Sequence, residues 1–182
     1  MAYAFEDFTK DAHDFLTADP GPAGREKVRN GLATLLRDRA ELDARIRPDA
    51  GTQVLHHDPD TGIYVLAHPH PKEGRRGPHD HGPSWAIYGV LDGETETVEW
   101  ARKDDGSREG YAEIEPARKY TIREGEAYLY NEGTPHSVYY PEGTMLIRVT
   151  GTDLNTVTVL RYNPERNQVV ADDRARHQAA AS

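Results

Sequence analysis

Strand-like segments crowd the second half of this chain, and they constrain its fold more than any other feature. β-Branched and aromatic residues recur in short runs near 85–91, 94–102, 111–115, 118–122, 126–131, 136–140, 144–150 and 155–162. Gly- and Asp-rich turns at 104–107, 141–143 and 151–153 separate some of these runs. Many short strands at such intervals predict a barrel or a sandwich. No stretch of helical period interrupts them, which argues against a parallel α/β sheet.

The segment before them reads differently. Phe5, Phe8, Ala12 and Phe15 recur at helical steps, and Pro20, Gly21 and Pro22 break that helix. Val28, Leu32, Leu35, Leu36, Leu42 and Ile46 mark a second helical stretch that ends before Pro48. The expectation is a helical extension over residues 1–50 that covers one side of the barrel. Two alternating runs, 52–58 and 62–68, flank a turn-rich connector and predict a hairpin. His56, His57, His68 and His70 fall near it and read as solvated. Residues 72–77 read as a polar loop. The barrel is expected over 51–163, and the polar segment 164–182 reads as a loosely docked tail.

Composition excludes several function classes. A net charge of −9 argues against nucleic acid or an anionic membrane as partner. The chain has no cysteine, so disulfides, thiolate ligands and a thiol nucleophile are all ruled out. No apolar run reaches membrane-spanning length and no secretory leader is visible, so a cytoplasmic location is expected.

Three histidines carry the chemistry. His79 and His81 stand two apart, just before the apolar run 85–91. On an extended strand they would share a face, about 6–7 Å apart at their bases. His136 closes a second phrase that begins at Gly125 and passes Tyr130, Asn131 and Gly133. Imidazoles from two strands could hold one divalent first-row ion and leave part of its coordination shell open.

Together the two phrases resemble the cupin superfamily. Its first motif has His-x-His, an acidic residue four or five positions on, then Gly. His79, His81 and Gly93 fit, with Ala86 at the acidic position. Its second motif has Gly, five residues, Pro-x-Gly, two residues and His. Gly125, Gly133 and His136 fit, with Asn131 in place of Pro. The resemblance implies a mainly β fold, a double-stranded β-helix or jelly-roll barrel with the N-terminal helices packed on it. It also implies a homodimer, since cupins often pair through sheets or helical extensions.

Within that superfamily the chain is similar to the thiol dioxygenases, the cysteine dioxygenase and 3-mercaptopropionate dioxygenase group. The likeness includes the helical lead-in, the hairpin, the phrase His79 to Gly82, and Tyr130 and Asn131 before His136. It implies Fe(II) held by His79, His81 and His136, with a small-molecule substrate oxidised by dioxygen. Departures from the pattern are specific. Arg148 and Thr150 stand where members carry a histidine and a tyrosine. Gln53 lies near the place of a substrate-binding arginine, and Ala86 occupies the position of a crosslinking cysteine. In the family register Arg148 points into the barrel, where it meets either a substrate anion or a glutamate on a neighbouring strand. Tyr88 and Tyr130 are candidates to orient dioxygen or supply a proton, and equally read as core aromatics.

The leading expectation is therefore an Fe(II)-dependent oxygenase for a small anionic thiol or carboxylate, with Arg148, Tyr88 and Tyr130 as catalytic candidates. Zn, Mn, Ni or Cu would suit the same ligands. A Lewis-acid isomerase or hydrolase and a non-catalytic binding protein are the alternatives.

Overall fold

A computed structural model of the protein describes residues 3–47 and 50–173. The lead-in forms α1 (Phe5–Ala18), α2 (Pro22–Arg37) and a single turn, α3 (Ala40–Asp43). The stripe on α1 is Phe5, Phe8, Ala12 and Leu16, so Leu16 rather than Phe15 completes it. Glu6 and Asp7 lie at the positive end of the helix, and the Asp7 carboxylate accepts the Ala4 N–H at 3.2 Å. Pro22 opens α2, where no N–H is required. The second helical stretch is interrupted. The backbone leaves helical angles at Asp38, and Arg39 pairs with both Asp43 and the distant Asp92 at 2.8 Å.

The strands are β1 (Gln53–His57), β2 (Tyr64–His70), β3 (Gly74–His79), β4 (Ala86–Asp92), β5 (Glu94–Arg102) and β6 (Ile114–Arg123). They continue as β7 (Ala127–Tyr130), β8 (His136–Tyr140), β9 (Thr144–Thr150), β10 (Thr158–Asn163) and β11 (Gln168–Asp173). One sheet has the order β1-β2-β9-β4-β7 and the other β11-β10-β3-β8-β5-β6. Neighbouring strands are antiparallel in both sheets. The chain crosses repeatedly from one sheet to the other, so β3 and β4, or β7 and β8, are successive in sequence but lie in different sheets. This is a mainly β jelly roll of two antiparallel sheets, with the N-terminal helices packed on the five-stranded one. Among the described residues no helix is long and apolar enough to cross a membrane.

Strand β4 explains the layering. It is apolar on both faces and buried almost throughout. Ile87 and Leu91 join Val28, Leu32, Leu35 and Leu36 in the core under the helices. Ala86, Tyr88 and Val90 face the other way, into a second core with Val138, Tyr140 and Leu146. Gly89 lies on the helix side. A Cβ there would sit 2.6 Å from Leu36 Cδ1, so the missing side chain is what admits α2.

Four expectations need correction. The end of the run 111–115 and the run 118–122 form one strand, β6 (Ile114–Arg123), paired along β5, while Tyr111 makes only an isolated bridge to Gln168. Pro116 lies within it and costs no ladder bond, because β6 is the edge of its sheet. Residues 72–77 are not simply a loop: β3 begins at Gly74, lies between β8 and β10, and carries His79 at its end. The last strand of the predicted barrel starts at Thr158, not near 155. The segment read as a tail from 164 contains β11, which pairs with β10 residue by residue from Asn163↔Gln168 to Thr158↔Asp173. The remainder, 174–182, lies outside the described residues.

Leu32 is fully buried between α2 and β4. Leu32→Ala is expected to cost about 2–5 kcal/mol of unfolding free energy, read from a urea titration, while zinc uptake in native buffer is retained. A loss under 1 kcal/mol would mean that the helices are not part of the cooperative core.

Candidate metal centre

Strand pairing places two of the three histidines. His79 ends β3, His136 begins β8, and the two are direct cross-strand partners. His81 does not continue the strand, as the i, i+2 spacing had suggested. It lies in the turn that follows, and the chain reverses at Gly82 with φ +60°. A Cβ on Gly82 would sit 2.1 Å from the Thr158 carbonyl oxygen, so both backbone angle and space demand glycine.

Asp80 holds this turn. It is buried, and its Oδ1 accepts the Gly82 N–H at 2.9 Å and the Leu160 N–H at 2.8 Å. Its Oδ2 accepts the Tyr162 hydroxyl at 3.0 Å. Its own N–H donates to the Leu160 carbonyl at 3.0 Å. One carboxylate thereby ties the His79–His81 turn to β10. Burial, with the Asp80 charge next, pushes the Tyr162 hydroxyl above its ordinary pKa and keeps it a donor. Sequence reasoning passed over Asp80 and Tyr162. The signal was the acidic residue between the two histidines, followed by glycine.

The rings converge. One nitrogen from each of His79, His81 and His136 lies within 4.8 Å of the other two, and no carboxylate joins this group. His79 Nδ1 donates to the Gly77 carbonyl at 2.8 Å, and His136 Nδ1 donates to the Thr134 carbonyl at 3.0 Å. These bonds fix the tautomer and leave each Nε2 with a lone pair. His136 Nε2 is buried with no hydrogen-bond partner, which is what a missing metal bond would leave. Burial, then the neighbouring His79, pushes the His136 pKa down to about 3, so the ring is neutral and ready to ligate. Three imidazoles and no thiolate fit a divalent first-row ion with open positions.

A cavity of about 360 Å³ opens beside the triad. Tyr88 lines it, with its hydroxyl 3.0 Å from His81 Nε2. Arg148 lines it from β9, as the cross-strand partner of Tyr88 on one side and Leu66 on the other. The Nε of Arg148 is buried without a partner, and among the described residues the side chain forms no ion pair, so no glutamate meets it. Tyr130 lies elsewhere. It stacks on His136 at 4.1 Å from behind, and its hydroxyl faces Thr97 and Tyr120. Gln53 is bonded to the Arg47 backbone and lies away from the cavity. Trp85 packs in the core under the helices, beneath Arg25.

The hairpin histidines depart most from expectation. His68 and His70 are neither loop residues nor solvated: both line the cavity from β2. His70 stacks flat on Tyr140 at 4.0 Å. His68 has its pKa pushed down to about 3, by burial first, then by Arg148 and His70. Their i, i+2 spacing on a strand was the available signal.

No protein-family model matches the sequence, and no curated protein is detectably similar to it. Solved structures with a related backbone include KdgF from Halomonas sp., at 16% identity over 54% of this chain and 76% of that one, TM-score 0.41. The DMSP lyase DddQ from Ruegeria pomeroyi DSS-3 is 18% identical over 63% of this chain and 52% of its own, TM-score 0.44. The cupin domain of Schizosaccharomyces pombe Cnp3 is 12% identical over 56% of this chain and 60% of its own, TM-score 0.42. The chain thus spans only about half to three quarters of these proteins.

Asp80→Ala is expected to weaken zinc binding at least tenfold in a chelator competition, because the turn that presents His79 and His81 loses its anchor. Unchanged affinity would remove that role. A second expectation concerns acid. His68 is neutral in the folded chain down to about pH 3 but takes up a proton near its ordinary 6.5 when unfolded. Its contribution to stability is therefore fully present above pH 6.5 and is lost as pH falls towards 3, by about 1.4 kcal/mol per unit. His68→Phe should flatten the urea-derived stability curve of metal-free protein across that window, and an unaltered slope would contradict the burial.

Proposed function

We propose that this chain is a non-haem Fe(II)-dependent oxygenase of the cupin fold, acting on a small anionic thiol or carboxylate with dioxygen. The observation that carries the reading is the cavity wall. Beside three converging histidines it presents Arg148, with Arg76 at its rim, and no acidic residue, in a protein of net charge −9; Arg161 also lines it but is paired with Asp172. Such a wall selects an anion, because charge attraction is strong where water is excluded. The ligand set itself contributes no negative charge, so an anionic substrate would also balance a divalent ion.

His79, His81 and His136 would hold the iron, which when bound supplies the means of activating dioxygen. The chain's own residues supply position and charge. Arg148 receives the substrate's anionic group in a two-pronged contact. Tyr88 holds a hydroxyl proton next to the ligand His81, where it can orient a bound group or donate to it. Leu146 and Leu154 line the same cavity and restrict water. Tyr130 keeps the His136 ring in place. The finer assignment, kinship with the thiol dioxygenases, is supported by the order of the sequence phrases. The arginine of β9 in place of a histidine implies a substrate other than cysteine.

The test is dioxygen uptake by iron-loaded protein against a panel of small thiols and carboxylates. Uptake is expected with at least one, and none with zinc in place of iron. Turnover with zinc, manganese or nickel and no dioxygen uptake would replace this reading with Lewis-acid chemistry. For the active substrate, Arg148→Ala should raise KM at least tenfold while changing kcat much less. An unchanged KM would remove the anchoring role.

A further inference from the structure

Apart from His136 Nε2, two buried nitrogens beside the site have no hydrogen-bond partner among the described residues. They are Arg148 Nε and His68 Nε2. Both belong to inward-facing positions of adjacent strands. In the β2–β9 ladder His68 pairs with Leu146 and Leu66 with Arg148, so the two side chains are diagonal neighbours. The far nitrogen of His68 lies 3.0 Å from the Thr52 hydroxyl. With that hydroxyl donating to Nδ1, the proton of the neutral ring sits on Nε2 and points at the cavity. Arg76 stands at the exposed rim of the same wall without an ion pair among the described residues, whereas Arg161 is already paired with Asp172 at 2.8 Å. Orphaned donors on a buried cationic wall are costly unless a ligand completes them.

This cluster is separate from the triad. Tyr88, which touches His81, is on β4. Arg148 is one strand away and His68 two, which is about 5–10 Å across the sheet. We propose that His68, Arg148 and Arg76 form an oxyanion subsite, and that the cavity's ligand is a small dianion with one head there and the other at the histidine triad. A dicarboxylate with two or three methylenes has three or four C–C bonds between its carboxyl carbons, at most about 4.5–6 Å at about 1.5 Å per bond, which matches the near end of that range. Arg148 supplies two parallel donors and the fixed charge. His68 supplies a neutral N–H that does not compete with the arginine for a counter-ion. The ring's depressed pKa agrees with that uncharged role. The head at the triad rests on the metal reading above; the oxyanion subsite does not.

Two measurements separate them. In metal-free protein, sulfate titrated by calorimetry at constant ionic strength is expected to bind the wild type, and at least tenfold more weakly in Arg148→Gln. His68→Phe should weaken it severalfold, and serves as the second variant if Arg148→Gln does not fold. In zinc-loaded protein, with occupancy checked by chelator competition, succinate is expected to bind at least tenfold tighter than butyrate, a monoanion of equal chain length. Arg148→Gln should reduce that preference below threefold. Equal affinities in the wild type, or a preference that survives in Arg148→Gln and His68→Phe, would overturn the dianion. Absent or variant-independent sulfate binding would overturn the subsite. A failure of iron-loaded protein to take up dioxygen would count against the oxygenase reading alone, and a failure of zinc to load would overturn the triad-bound head as well; in either case sulfate discrimination between wild type and Arg148→Gln would still establish the subsite.

Discussion

The site depends on one buried carboxylate. Asp80 reads two backbone amides and a tyrosine hydroxyl at once, and its acceptors face donors on both its own turn and β10. Without it the peptide after His79 has no reason to reverse where it does, and His81 would follow the strand away from His136. Charge-assisted bonds to a desolvated carboxylate are stronger than neutral ones. They are also demanding, because any unmet partner would be stranded away from water. Gly82 is the other half of the device, since only a residue without Cβ fits against the Thr158 carbonyl.

The five-stranded sheet lets one strand serve two purposes. The residues of β4 that face the helices are part of an ordinary apolar core, closed by α1 and α2. Those on the opposite face carry Tyr88 towards the triad, in register with Arg148. Tyr130 contributes as a flat support for His136 and not as a wall of the cavity.

Charge is distributed against the overall balance. The surface is acidic enough to leave the protein at −9, yet the cavity lining has no carboxylate. Only the Nε of Arg148 is buried without a partner among the described residues, and a buried donor left unpaired is costly. His68 sits beside Arg148 for a compatible reason: burial and that neighbouring cation both oppose its protonation, so the wall gains a donor without a second uncompensated charge.

Much of this was legible in the amino-acid order. Period-two runs with intervening turns specify a mainly β chain, a local pattern with short physical reach; the phrases around His79, His81 and His136 single those residues out, but the β3–β8 pairing is what brings their rings together. The helical lead-in was legible for the same reason, through Phe5, Phe8 and Ala12. Pro116 and the charged stretch Arg75–Arg76 misled, since an edge position tolerates proline and two exposed arginines look like loop residues until their strand partners are known. Which side chains share the cavity was decided only by tertiary structure. His68 and Arg148 are 80 positions apart in the chain. They become neighbours because β2 pairs with β9, and Asp80 becomes a clamp because β10 returns beside β3. Long-range strand register, which no local pattern encodes, made a charged wall out of residues that in sequence look like scattered polar positions.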